Sequence, residues 1–366
     1  MRIECVKEKL HKALSLVDRV SGKNLTLPIL GCVLLEAKDK TLLLRATNLE
    51  LGIEAEIPAK VESEGMIAIP AGVLTSFISQ LSGEKGVFLD FSKGNLSVSF
   101  PGSATVIKCY NPQDFPTIPK ISGDHVFSIP SEDLVRGLKS VWYSASISSM
   151  KQELSSVYIY PDSEWIVFVA TDSFRLAEKK IKAKHQKNFP NVLIPFKNVS
   201  EIIRIAEVLQ GDVEIHVTKN QISFFFEGLY LTSRIIEGSF PDYRQIIPKE
   251  FKTELVLLKQ DLERALKLAV IFSDSFNQVG IKSDNKRKEV EFKTKNDNVG
   301  ENTSSVSAAI SGETLDLNFN HRYMSESLPF VPSDSVSLSF NGSGKPMVIR
   351  GVSDRTFTYL VMPMNK

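Results

Sequence analysis

Ser131-Glu132-Asp133-Leu134-Val135-Arg136-Gly137-Leu138-Lys139 has a near-copy upstream, Lys7-Glu8-Lys9-Leu10-His11-Lys12-Ala13-Leu14-Ser15, and another downstream, Lys259-Gln260-Asp261-Leu262-Glu263-Arg264-Ala265-Leu266-Lys267. Their first leucines, Leu10, Leu134 and Leu262, stand 124 and 128 residues apart. Each copy carries leucines at i and i+4, one turn apart on a single helix face. Two residues after the first leucine, about 200° round the helix, each copy carries a base: Lys12, Arg136 and Arg264. Ser15, Lys139 and Lys267 follow on that far face. The chain therefore reads as a tripled unit whose opening helix packs leucines inward and turns cations outward. A solvated face accounts for one such helix; the same base in three copies argues for a shared anionic target.

A chain of 366 residues exceeds one typical core, and the repeat divides it into three. Hydrophobic residues at 42% and charged residues at 24% are globular values, so no long disordered region is required. The net charge of +1 exerts no global pull on nucleic acid, so any anion-binding surface must come from segregated charge. Cys5, Cys32 and Cys109 lack CxxC spacing, as expected of small apolar residues in a reducing compartment. Met1-Arg2-Ile3-Glu4 runs straight into a structured pattern without an apolar leader, and no apolar stretch reaches spanning length. The expected location is cytoplasmic, with no membrane.

Along the first copy, a helix over 7–20 is followed by Pro28, which forbids its continuation. Alternation through Leu42, Leu44, Ala46 and then Leu51, Ile53, Ala55, Ile57 predicts two strands joined by a turn at Ala46-Thr47-Asn48. A second helix is expected from Ile69-Pro70-Ala71, with the proline in its first turn, to Ser82-Gly83, then strands at 86–91, 95–100 and 104–110. The second copy repeats the turn as Ala170-Thr171-Asp172, 124 residues on, and the helix start as Ile194-Pro195-Phe196; strands follow at 212–218, 221–227 and 229–236. In the third copy the turn is Thr294-Lys295-Asn296, the second helix starts at an Asn320 cap, and strands end the chain near 335–340, 345–350 and 356–361. The polar stretch 284–305 reads as long mobile hairpin loops. Linkers are expected at 117–126 and 245–253.

Chemistry-bearing patterns are missing from the sequence. His11, His125, His185, His216 and His321 are scattered, without HExxH or a Cys/His cluster, so no metal site is expected. Gly342-Ser343-Gly344-Lys345-Pro346 fails the phosphate-loop pattern at Ser339 and Pro346 and reads as a hairpin turn. Asp172 has a turn-forming counterpart in Asn48, which explains it without catalysis. No cofactor is expected, and the chain reads as a non-enzyme.

The tripled architecture, Ala170-Thr171-Asp172-Ser173-Phe174-Arg175-Leu176, Gly238-Ser239-Phe240-Pro241-Asp242-Tyr243-Arg244 and the terminal Val361-Met362-Pro363-Met364 together resemble the bacterial sliding-clamp family, the beta subunit of DNA polymerase III. The resemblance covers the whole chain. It implies an α+β fold of three tandem clamp domains, 1–120, 121–247 and 248–366, each with two helices packed on antiparallel sheets. It also implies a head-to-tail homodimer that closes as a ring on double-stranded DNA. Its partners would be the replicative DNA polymerase catalytic subunit, an ATP-dependent clamp loader, and other polymerases and repair proteins carrying clamp-binding peptides. A scaffold that binds peptides without enclosing DNA is the competing reading, and it would dispense with the basic helix faces.

Carried onto this chain, the resemblance and the repeat assign DNA contacts to Lys12, Arg136, Lys139, Lys197, Arg264 and Lys267, with Lys23 and Lys151 on loops. Such contacts to phosphates hold DNA without reading bases. The resemblance implies a peptide groove between the second and third units, lined by Leu154, Thr171, Phe174, Arg175, Leu176, Pro241, Ile246, Phe276, Asn320, Tyr323, Leu360, Val361, Met362, Pro363 and Met364. Methionine and leucine suit a groove that accepts several ligands. The dimer contact it implies sets Ile107 opposite Ile271 and Phe272. The chain departs from the family pattern at Ser173-Phe174, where Gly followed by a polar ring is common, at Gln245 in place of Arg, and at the ending Asn365-Lys366.

Overall fold

The computed structural model describes residues 1–22, 27–83, 86–121, 127–148, 150–183 and 189–365. Six α-helices lie among them: α1 (Lys7–Val17), α2 (Ala71–Gln80), α3 (Ser131–Lys139), α4 (Phe196–Ala206), α5 (Lys259–Ile271) and α6 (His321–Ser327). The leucine pairs of the three repeated helices α1, α3 and α5 are all buried, none more than 1% exposed. Burying each such side chain contributes about 1.5–3 kcal/mol, which is what selects the inward face. α1 stops three residues short of expectation. Pro70 precedes the first helical residue of α2 instead of lying in its first turn, and Pro195 likewise ends a strand directly before α4. Asn320 caps α6 as expected, its side-chain oxygen accepting from the backbone N–H of Arg322 at 3.0 Å and of Tyr323 at 3.2 Å.

The described residues form two compact bodies, 1–132 with 200–235 and 133–199 with 236–366. The first holds a twelve-stranded antiparallel sheet centred on the 13-residue strand Leu51–Ser63, which pairs with Arg2–Val6, Thr41–Thr47 and Leu229–Arg234. The pairing Leu231↔Ile53 joins strands of the first and second copies into one sheet. Tyr230 Oη donates to the carbonyl of Pro119 at 2.8 Å and accepts from the N–H of Ile121 at 3.2 Å, which fastens the first expected linker as far as it is described.

The second body holds a nine-stranded sheet in which Arg175–Lys182 pairs with the terminal strand Phe357–Val361, Leu176 opposite Leu360, so copies two and three are joined in the same way. It also holds a four-stranded sheet of Gly300–Ser307, Glu289–Asn296, Gln278–Asp284 and Asp316–Asn320. That sheet overturns the expectation of loops over 284–305. The composition is polar, but Val290, Phe292 and Thr294 alternate inward and are fully or almost fully buried, so a period of two outweighs loop-like residues. The expected hairpin at 342–346 joins Ser335–Phe340 to Met347–Gly351, with Gly342 and Gly344 at φ 90° and 74°. Thr253 already belongs to strand Thr253–Leu258, so the second linker is shorter than expected.

Candidate functional site

The repeated turn is the same atom for atom in copies one and two. Thr47 Oγ1 donates to the Leu51 carbonyl at 2.7 Å, and Asn48 Oδ1 accepts from the N–H groups of Glu50 and Leu51. Thr171 Oγ1 donates to the Arg175 carbonyl at 2.6 Å, and Asp172 Oδ1 accepts from Phe174 and Arg175. This satisfies the turn's donors locally and frees the next two side chains for other work. Phe174 swings outward and is 63% exposed.

Arg175 turns inward. Its Nε donates to Asp172 Oδ2 at 2.9 Å, one terminal nitrogen donates to the Tyr143 carbonyl at 2.7 Å, and the other pairs with Glu326 of α6. Its guanidinium also lies 4.4 Å from the ring centroid of Tyr323. One planar side chain thus ties the turn, residue 143 and α6 together, a task that a lysine ammonium lacks the fork to perform.

The chain terminus completes the site. The Met362 N–H donates to the Phe174 carbonyl and the Met364 N–H to the Asn318 carbonyl, each at 2.8 Å. Between these anchors a cavity of about 370 Å³ is lined by Phe174, Asn320, Tyr323, Met362, Pro363, Met364 and Asn365. Six of the fifteen residues assigned to the groove are therefore brought together. Leu154, Thr171, Leu176, Leu360 and Val361 are buried and do not line it, and Arg175 braces Tyr323. Pro241, Ile246 and Phe276 are exposed but are not part of this cavity's lining. Asn365, Asn318, Glu326 and Tyr143 belong to the site beyond the residues that the resemblance implies. No local pattern marks them, since Glu326 lies 151 residues from the arginine it pairs with.

Lys12, Arg136 and Arg264, the base shared by the three repeated helices, are all exposed. Lys197, Lys267 and, on its loop, Lys151 are exposed as well; Lys139 is half-buried, and Lys23 lies outside the described residues. Arg136 pairs with Asp133 and Arg264 with Asp261, one turn back on their own helices. In copy one Lys9 occupies that place, so Lys12 has no carboxylate there.

Of the residues assigned to a dimer contact, Ile107 is 5% exposed, whereas its neighbour Val106 on Ser103–Lys108 is 65% exposed; Ile271 is 60% exposed and Phe272 half-buried. Ser103–Lys108 and Gly300–Ser307 each form the edge of their sheet. The cysteines are free, and burial pushes the Cys5 thiol up to about 12 and the Cys32 thiol up to about 11. No helix among the described residues is long and apolar enough to cross a membrane.

Residues 1–119, 128–242 and 244–365 match, in order, the N-terminal, central and C-terminal domains of the DNA polymerase III beta subunit. The beta sliding clamp of Synechocystis sp. is 30% identical over 390 residues, covering 100% of this chain and 99% of that protein. The beta sliding clamp of Synechococcus elongatus is 28% identical over 372 residues with the same coverage. The fold is similar to a crystal structure of the DNA polymerase sliding clamp from Bacillus subtilis, with a TM-score of 0.95 at 23% identity over 100% of this chain and 99% of that one. The chain belongs to the beta-subunit family of DNA polymerase III, the sliding clamps, and consists of three tandem domains of that family.

Proposed function

We propose that two copies of this chain close head to tail into a ring on duplex DNA, slide along it, and tether the replicative polymerase and repair proteins through the cavity at Met362. The observation that carries this reading is the exposed base at one position of three repeated helices, Lys12, Arg136 and Arg264, opposite buried leucine pairs. Phosphate contacts of this kind hold DNA without reading sequence. The ion pairs to Asp133 and Asp261 weaken the contacts of Arg136 and Arg264, which suits a ring that must move. Units 1–120, 121–247 and 248–366 would each supply one helix pair to the ring's lining. Edge strands Ser103–Lys108 and Gly300–Ser307 offer unpaired backbone for closure, with Val106, Ile271 and Phe272 as apolar contacts and Ile107 as support beneath. The ring acts in the cytoplasm, is opened by an ATP-dependent loader and needs no catalytic group or cofactor of its own.

Retention on DNA tests the reading. The protein is loaded on nicked circular plasmid with a compatible loader and ATP, freed of unbound protein, and the circle is cut once. Retention followed by rapid loss after the cut supports topological linkage; equal retention before and after it refutes enclosure. Charge reversal at Arg136 and Arg264 should reduce loading, whereas a peptide scaffold that never holds DNA would be indifferent to it.

A further inference from the structure

A second cavity, of about 850 Å³, shares no lining residue with the one at Met362; it lies on the nine-stranded sheet and is walled in part by residues 244–251. Its floor is a row of side chains across neighbouring strands, fixed by the register Glu178↔Thr358, Arg350↔Ser337 and Glu254↔Ser339. Glu178, Ser337, Ser339 and Thr358 are all more than nine-tenths buried. Five cations line the cavity (Lys180, Arg244, Lys249, Arg350 and Arg355) against two carboxylates, Glu178 and Glu254.

Part of this polar chemistry is uncommitted. Glu178 accepts from the Tyr243 hydroxyl and has Lys180 at 3.7 Å, and Arg244 is engaged by the Tyr160 hydroxyl and Asp162, each at 2.9 Å. Arg350, half-buried, makes a single hydrogen bond among the described residues, from Nε to Thr358 Oγ1 at 3.1 Å. Its terminal nitrogens make no hydrogen bond among the described residues, and only the charges of Glu178 and Glu254, which line the same cavity, act to stabilise the guanidinium. Burial lowers its pKa, with Glu178 and Glu254 offsetting this only in part, so a further anion beside the guanidinium would be favourable. The hydroxyls of Ser337 and Ser339 likewise donate to nothing among the described residues. Ile247, Pro248, Phe251, Val256 and Val352 form an apolar wall beside these donors.

We propose that this cleft is a second peptide site, which takes an acidic segment of a partner protein with a carboxylate on Arg350 and Arg355 and an apolar side chain against Phe251. A guanidinium fork with free donors matches a carboxylate bidentately. The volume falls within the roughly 300–1,000 Å³ of ligand sites. Glu178 and Glu254 oppose a continuous phosphate backbone but tolerate a chain with one or two carboxylates, since the N–H groups of such a chain can donate to them. The site is separate from the cavity at Met362 and stands whether or not the ring reading does.

The test is fluorescence anisotropy of the full chain with a labelled peptide Asp-Leu-Glu-Phe-Glu-Asp, its Asn/Gln counterpart and an oligothymidylate. The acidic peptide should bind and its amide counterpart should not. Arg355→Gln and Lys249→Gln, both at exposed positions, should each weaken binding about tenfold with unchanged melting, and Arg350→Gln should weaken it further. Equal binding of both peptides, or undiminished binding by the Arg355 and Lys249 variants, overturns the proposal. So does displacement of the peptide by oligothymidylate at lower concentration than by unlabelled peptide, which would reassign the cleft to nucleic acid.

Discussion

The Arg175 guanidinium lies 4.4 Å from the centroid of the Tyr323 ring while it is bonded to Asp172, Glu326 and the Tyr143 carbonyl. Its side chain is only 10% exposed, so these are partly desolvated contacts and not surface ion pairs. Arg175→Ala should destabilise the protein by about 3 kcal/mol, because the carboxylates of Asp172 and Glu326 lose their shared partner. Arg175→Lys should keep the charge but lose the fork and fall between the two. Urea unfolding checks both. A clamp-binding peptide should bind either variant more weakly, since Tyr323 lines the cavity.

Gly137 occupies the place held by Ala13 and Ala265 in the other repeated helices, and sequence averaging would favour alanine. The Phe168 ring forbids it: a Cβ at residue 137 would come within 2.5 Å of ring carbon Cε2. Helix propensity offers about 1 kcal/mol, but overpacking a buried ring costs about 1–3 kcal/mol. Gly137→Ala should therefore be neutral to destabilising by up to about 2 kcal/mol. Copy one carries Leu44 at the position 124 residues before Phe168. Gly137→Ala with Phe168→Leu should recover part of the loss, a coupling that a double-mutant cycle measures.

Ser173 sits at φ 79°, and Leu49, its counterpart in copy one, at φ 75°. A left-handed conformation costs a residue with a Cβ about 1–2 kcal/mol, and the extra backbone freedom of unfolded glycine returns about 0.5–1 kcal/mol of that. Ser173→Gly should stabilise by up to about 1 kcal/mol and raise the melting temperature by a few degrees. Because the N–H groups of Phe174 and Arg175 still bond to Asp172, the cavity should keep its shape. A lower melting temperature would mean that the serine side chain makes a contribution beyond its backbone conformation.

Those elements that rest on local spacing were legible. Leucines one turn apart placed α1, α3 and α5, and the Thr-Asx pair placed the turn that aims Phe174 and Arg175. Reading failed where composition and period disagreed, as over 284–305, where Val290 and Phe292 alternate inward beneath polar neighbours. It was also blind to facing within a single edge strand: Ile107 points into the core and Val106 out of it, a distinction that depends on register and not on residue type. Around the cavity, the backbone bonds of Met362 and Met364 and the reach of Arg175 to Glu326 join segments far apart in sequence. Only the resemblance to a known family brought those segments together before the fold was known.

His321 opens α6 beside the cavity residue Asn320, is 3% exposed, and has both ring nitrogens buried without a hydrogen-bond partner among the described residues. Burial lowers its pKa, and the nearby Asp274 offsets this only in part. The unfolded chain, with an ordinary histidine near roughly 6.5, therefore binds a proton more readily than the folded one. Stability attributable to this residue is present in full above that value. It declines as the pH falls through it, until the folded-state imidazole itself protonates. His321→Leu removes the titration and the two orphaned nitrogens together. The melting temperature of the unmodified chain should fall more steeply than that of the variant between pH 7 and pH 5, a window set by the ordinary histidine value of about 6.5. Parallel slopes would mean that the ring gains a partner in solution, through water or by reorienting toward Asp274.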